Sequence, residues 1–89
     1  MRDEKALAVA IAQITKQMEM LINDTSVPRN VRSAIGEAKE KLNSNEEGTV
    51  RVSGAIYCVD AVSTDINLPP QARTAVWNIL SQLESIKAD

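Results

Sequence analysis

Side chains that could do chemistry are few in this sequence. Glu46 and Glu47 stand together before Gly48, and paired carboxylates can bind a metal or exchange protons. Neighbouring glutamates also collect at the positive end of a following helix, which is the reading expected here. Glu19, Glu37, Glu40 and Asp60 are spread over three segments. A carboxylate-bridged metal bundle needs inward glutamates with a Glu-x-x-His motif, and the sequence contains no histidine. The same lack removes Cys/His zinc sites and Ser-His-Asp or Cys-His catalysis. Cys58, the sole cysteine, adjoins the apolar Val59 and is expected to be a buried structural thiol. No catalytic residue, metal or cofactor is expected, and the chain does not read as an enzyme.

Recognition has better candidates. Trp77 and Tyr57 are the only large aromatics, since there is no Phe. Trp77 falls away from the centre of the apolar stripe on its helix, and Tyr57 lies beside Ile56. Each ring could cover the edge of a small core. Each could also anchor a partner or a second copy, because Trp and Tyr dominate contact hot spots. Arg29, Arg32 and Arg73 would cluster if the two turns preceding them share one end. Two helix N-termini there would favour an anion, although Asp24 and Asp65 partly cancel the field. With 10 basic and 12 acidic residues the net charge is −2, without the basic excess that nucleic-acid binding usually shows.

Helices must position these groups. An aliphatic composition with three Gly and three Pro favours helix over a many-turned β fold. The first predicted helix runs from about Asp3 to Asn23 on Leu7, Ile11, Ile14, Met18 and Leu21, with Val9, Met20 and Ile22 widening its apolar face. The second, about Pro28 to Leu42, buries Val31, Ala34, Ile35, Ala38 and Leu42. The polar stretch Asn43 to Gly48 is the midpoint loop. The third, about Glu47 to Ser63, uses Val52, Ala55, Ile56, Val59 and Val62 and tolerates Gly54 inside it. The fourth opens at Pro69-Pro70 and ends near Ile86, on Ala72, Val76, Ile79, Leu83 and Ile86. No apolar run approaches the length of about 18 residues that spans a bilayer. A cytoplasmic protein without a membrane partner is expected.

The chain repeats itself at an offset of 41 residues. Aligning Asp24–Leu42 with Asp65–Leu83 pairs Asp24 with Asp65, Pro28 with Pro69, Arg32 with Arg73, Ala34 with Ala75 and Leu42 with Leu83. Val27/Leu68, Asn30/Gln71, Ser33/Thr74 and Ile35/Val76 are conservative pairs. The aspartate can close the turn by accepting backbone N–H groups, and the proline fixes entry into the next helix. The arginine, about one turn in, could reach its own Asp or that of the other repeat. Asp24, Asp65, Pro28 and Pro69 thus read as structural latches. One domain, 1–89, is expected, with hairpin repeats of about 3–42 and 47–86. The period is similar to that of HEAT repeats, but two repeats lack the neighbours a solenoid needs. A closed all-α four-helix bundle of two related hairpins is therefore preferred over a HEAT-like two-repeat stack.

Val27-Pro28-Arg29-Asn30-Val31-Arg32 and Leu68-Pro69-Pro70-Gln71-Ala72-Arg73-Thr74-Ala75-Val76-Trp77, with Leu83-Glu84-Ser85-Ile86 after them, resemble an archaeal family, the uncharacterised protein family 0147. The resemblance spans nearly the whole chain. It implies a compact four-helix bundle and supplies no activity, cofactor or catalytic residue. The function expected from the residues is a non-catalytic helical module that binds a protein or itself. The alternative is an RNA- or ribosome-associated protein using the arginine end.

Overall fold

A computed structural model describes residues 3–88. They form four helices: α1 (Glu4–Ile22), α2 (Arg29–Leu42), α3 (Gly48–Asp60) and α4 (Pro70–Ala88). Asp3 lies just outside α1 as its N-cap, its carboxylate accepting the Ala6 N–H at 2.9 Å. Pro28 also stands at an N-cap position, with φ −55° and ψ 145°, so α2 begins at Arg29, one residue later than the start expected for the second helix. Its repeat counterpart Pro69 likewise precedes α4, and Pro70 takes the first helical position, where the missing N–H costs nothing.

α3 ends three residues earlier than its apolar period suggested. After Asp60 the chain tightens: Val62 donates to the Val59 carbonyl at 3.1 Å and Ser63 to the Asp60 carbonyl at 3.2 Å. The Ser63 hydroxyl also donates to the Asp60 carbonyl, at 2.9 Å. Val62 stays buried through this turn, so the apolar spacing outlasts the helix.

Each helix touches its two neighbours around a ring. α1 packs on α2 and α4, α3 packs on α2 and α4, and the diagonal pairs barely meet. A HEAT-like stack would instead set α1 on α3 and α2 on α4. The fold is therefore the closed four-helix bundle, 36 × 20 × 18 Å in extent. Closure follows from the stripes: each helix has one apolar face, and only a ring buries all four without an open end.

One continuous core results. Met18, Val31, Ile35, Leu42, Val52, Val59, Val76, Ile79 and Leu83 are fully buried at its centre. Val9 and Met20, which lie outside the buried stripe of α1, stand in solvent on the side away from α2 and α4. Two expectations need correction. Ile56 and Ala34 are only partly buried. Leu80, outside the expected stripe of α4, is buried.

The seams differ in chemistry. Between α2 and α3 the Lys41 stem lies over Gly54, where an added Cβ would come within 3.2 Å of the Lys41 Cδ. Between α1 and α4 the amides of Gln17 and Gln82 bond reciprocally at 3.0 and 2.8 Å. Lys39 and Glu19 tie α1 to α2 at 3.0 Å. Among the described residues no helix is long and apolar enough to cross a membrane.

Candidate functional site

The repeat brings both of its turns to one end of the bundle. In the first, Asp24 Oδ1 accepts the Ser26 N–H at 2.9 Å and the Ser26 hydroxyl at 2.6 Å. In the second, Asp65 Oδ1 accepts the Asn67 N–H at 2.8 Å. The amide of Asn30, at the start of α2, crosses to Asp65 Oδ2 at 2.9 Å and joins the two turns. The symmetry-related pair, Gln71 and Asp24, lines one groove without bonding, so the repeat is not copied perfectly here. The side-chain bond from Ser26 holds the Asp24 carboxyl below its ordinary range, helped by the Ser26 N–H and the Arg32 charge. The Asn30 amide does the same for Asp65, with the Asn67 N–H behind it.

The arginines take a different partner from the one the spacing suggested. Arg32 Nε donates to the Val27 carbonyl at 3.0 Å. Arg73 donates to the equivalent Leu68 carbonyl at a longer 3.4 Å. Each thus returns to the residue before its proline, where the extended pre-proline backbone aims a carbonyl that no helix uses. Arg29, the first residue of α2, is exposed and makes no such bond. The three arginines share an end, and two of them are held on separate backbone carbonyls.

At the opposite end, Glu47 caps α3 by accepting the Thr49 N–H at 3.0 Å. Arg51 Nε donates to the Leu42 carbonyl at 3.0 Å and closes the C-terminus of α2. Sequence spacing did not reveal Arg51, since its partner is a carbonyl with no sequence signature. A cleft of about 550 Å³ between α2 and α3 is lined by Glu40, Lys41, Val50 and Arg51. Among the described residues no group of three or more Cys, Asp or Glu is placed to hold a metal ion. Cys58 is buried.

The aromatics lie on the second hairpin and face outward. Trp77 is 49% exposed and Tyr57 76% exposed. The position on α2 that matches Trp77 is Gly36, where an added Cβ would meet nothing within 4 Å. Tyr57 corresponds to the exposed Lys16 of α1. The two hairpins repeat the core and differ on the surface, and the difference is aromatic. Ile66, at the tip of the turn between α3 and α4, is 88% exposed. It was not singled out from the sequence because it sits between Asp65 and Asn67, in a stretch without period.

The model of the uncharacterised protein family UPF0147 matches residues 1–86. A UPF0147 protein of Methanocaldococcus jannaschii is 41% identical over 85 residues, covering 94% of this chain and 91% of its own. That of Methanothermobacter thermautotrophicus is 46% identical over 76 residues, covering 84% and 74%. The crystal structure of a UPF0147 protein from Thermoplasma acidophilum superposes with a TM-score of 0.82 at 29% identity, over 89% of this chain and 94% of that one. A second crystal structure, of the unknown function protein MMP1188, gives a TM-score of 0.83 at 42% identity, over 90% and 92%.

Proposed function

The chain belongs to the archaeal UPF0147 family of small four-helix proteins, and from that premise we propose that it is a non-catalytic helical contact module whose anchor is Trp77. One observation carries the reading. A half-exposed indole stands on α4 where the other hairpin has Gly36 and open space. Core packing does not require it, since Val76, Ile79 and Leu83 close that side of the bundle without it. Large aromatics half in water gain most from a surface that buries them. Tyr57 on α3 supports the same reading as a second anchor. The cytoplasmic location expected from the sequence belongs to this proposal.

The arginine end supports nucleic-acid binding less well, because Arg32 and Arg73 are drawn onto backbone carbonyls. The test compares the tagged chain with its Trp77→Ala variant in pull-downs from host lysate, with and without nuclease. The expected result is a stoichiometric protein partner, or self-association, that survives nuclease and disappears in Trp77→Ala while the circular dichroism spectrum stays helical. A Trp77→Ala chain that keeps every partner of the parent overturns the proposal. Recovery that depends on intact nucleic acid moves the site to Arg29 and its neighbours.

A further inference from the structure

Opposite its buried stripe, α4 presents a second line of residues. Pro70, Thr74, Trp77, Ser81 and Glu84 recur at spacings of four, three, four and three, and all are exposed. Arg73, also exposed, stands one turn before Trp77 on the side where Glu84 follows Ser81. The line reads cation, bulky ring, small hydroxyl, anion. It is its own complement when reversed.

Resting on the contact reading of Trp77, we infer that the partner is a second copy of this chain, joined through α4 in an antiparallel pair. A two-fold axis between Trp77 and Ser81 sets each indole over the partner's Ser81, whose small side chain leaves room for the ring. The same axis sets each Arg73 beside the partner's Glu84, so the charge pair is made twice. Glu84 makes no ion pair or side-chain hydrogen bond within its own chain among the described residues. Arg73 keeps one long bond of 3.4 Å to the Leu68 carbonyl, which leaves most of its donors for a carboxylate. A foreign partner would need no such self-complementary order.

The matching line on α2 lacks these properties. Arg29, Ser33, Gly36, Glu40 and Asn43 replace Pro70, Thr74, Trp77, Ser81 and Glu84, and none of them is a large apolar residue. The pairing surface is therefore confined to one of two otherwise related helices, and association closes at a dimer instead of growing into a filament.

Analytical ultracentrifugation over a concentration series, with Trp77 emission recorded on the same samples, tests this. The expected result is a monomer–dimer equilibrium in which emission moves to shorter wavelength as dimer forms, since the sole tryptophan then leaves water. Glu84→Arg removes no ion pair or side-chain hydrogen bond among the described residues and is expected to weaken the dimer about tenfold or more. Adding Arg73→Glu to Glu84→Arg restores the pair with its charges exchanged and is expected to recover most of that loss. Circular dichroism on each variant verifies the helical fold. A chain that stays monomeric with unmoved emission overturns the dimer, and if Trp77→Ala still loses a lysate partner, the contact reading survives without it. A dimer indifferent to Glu84→Arg, or one that the double exchange fails to rescue, overturns the antiparallel register.

Discussion

Gln17 and Gln82 should be energetically coupled across the seam between α1 and α4. Each amide donates to the carbonyl oxygen of the other, at 3.0 and 2.8 Å, in a partly buried position. A hydrogen bond of this kind contributes about 0.5–1.5 kcal/mol net, so two bonds bound the pair at about 1–3 kcal/mol. Partial exposure lets water replace part of that, which sets the expected coupling near 1 kcal/mol. Gln82→Ala should therefore cost about 1–2 kcal/mol in the parent and clearly less in a Gln17→Ala background. The assay is a double-mutant cycle from urea unfolding followed by far-ultraviolet circular dichroism. Against a total stability of about 4–13 kcal/mol for a chain of this length, the difference is measurable. A coupling within about 0.5 kcal/mol of zero would refute the reasoning, because unlinked sites add to within that margin. The experiment also tests topology: in an open two-repeat stack α1 and α4 would not adjoin and the cycle would return nothing. Replacing both glutamines with leucine should be near neutral, which separates the amide bonds from the packing beneath them.

Leu42→Ala and Leu83→Ala, at equivalent and fully buried positions, should each cost about 3 kcal/mol and agree within about 1 kcal/mol in urea melts. Gly36→Ala should stabilise the protein by up to about 1 kcal/mol, since helix propensity rises and the new methyl meets open space; a lower midpoint of thermal unfolding would contradict this. The Asp65 carboxyl lies below its unfolded value because Asn30 and Asn67 donate to it. Its stabilising contribution is thus present above the unfolded value and is lost as pH falls through the folded one. Asn30→Ala should raise the Asp65 pKa toward the ordinary carboxylate range in an NMR titration and make the acid limb of stability less steep.

Much of this protein was legible in the chain. Helical spacing of Leu7, Ile11, Ile14, Met18 and Leu21, and of Ala72, Val76, Ile79, Leu83 and Ile86, named residues that are all buried. Pairing of Asp24 with Asp65 and Pro28 with Pro69 marked two related turns. These signals are local: a period, a cap or a proline acts within a few residues, so composition and order alone carry it. Other features needed the bundle. Arg32 and Arg73 settle on the Val27 and Leu68 carbonyls, and Arg51 on that of Leu42, because every residue carries a carbonyl and only the fold determines which ones lie exposed and within reach. The reciprocal amides of Gln17 and Gln82 are 65 residues apart and meet only when α4 closes on α1. Val9 and Met20, as apolar as their buried neighbours, are left in water because a four-helix ring offers each helix two neighbours and covers one face. Helical period and turn chemistry were the sequence's own to determine. Which apolar and aromatic residues are left in water, Val9, Met20 and Trp77 among them, was decided by the tertiary structure, since burial is a property of neighbouring helices and not of any one of them.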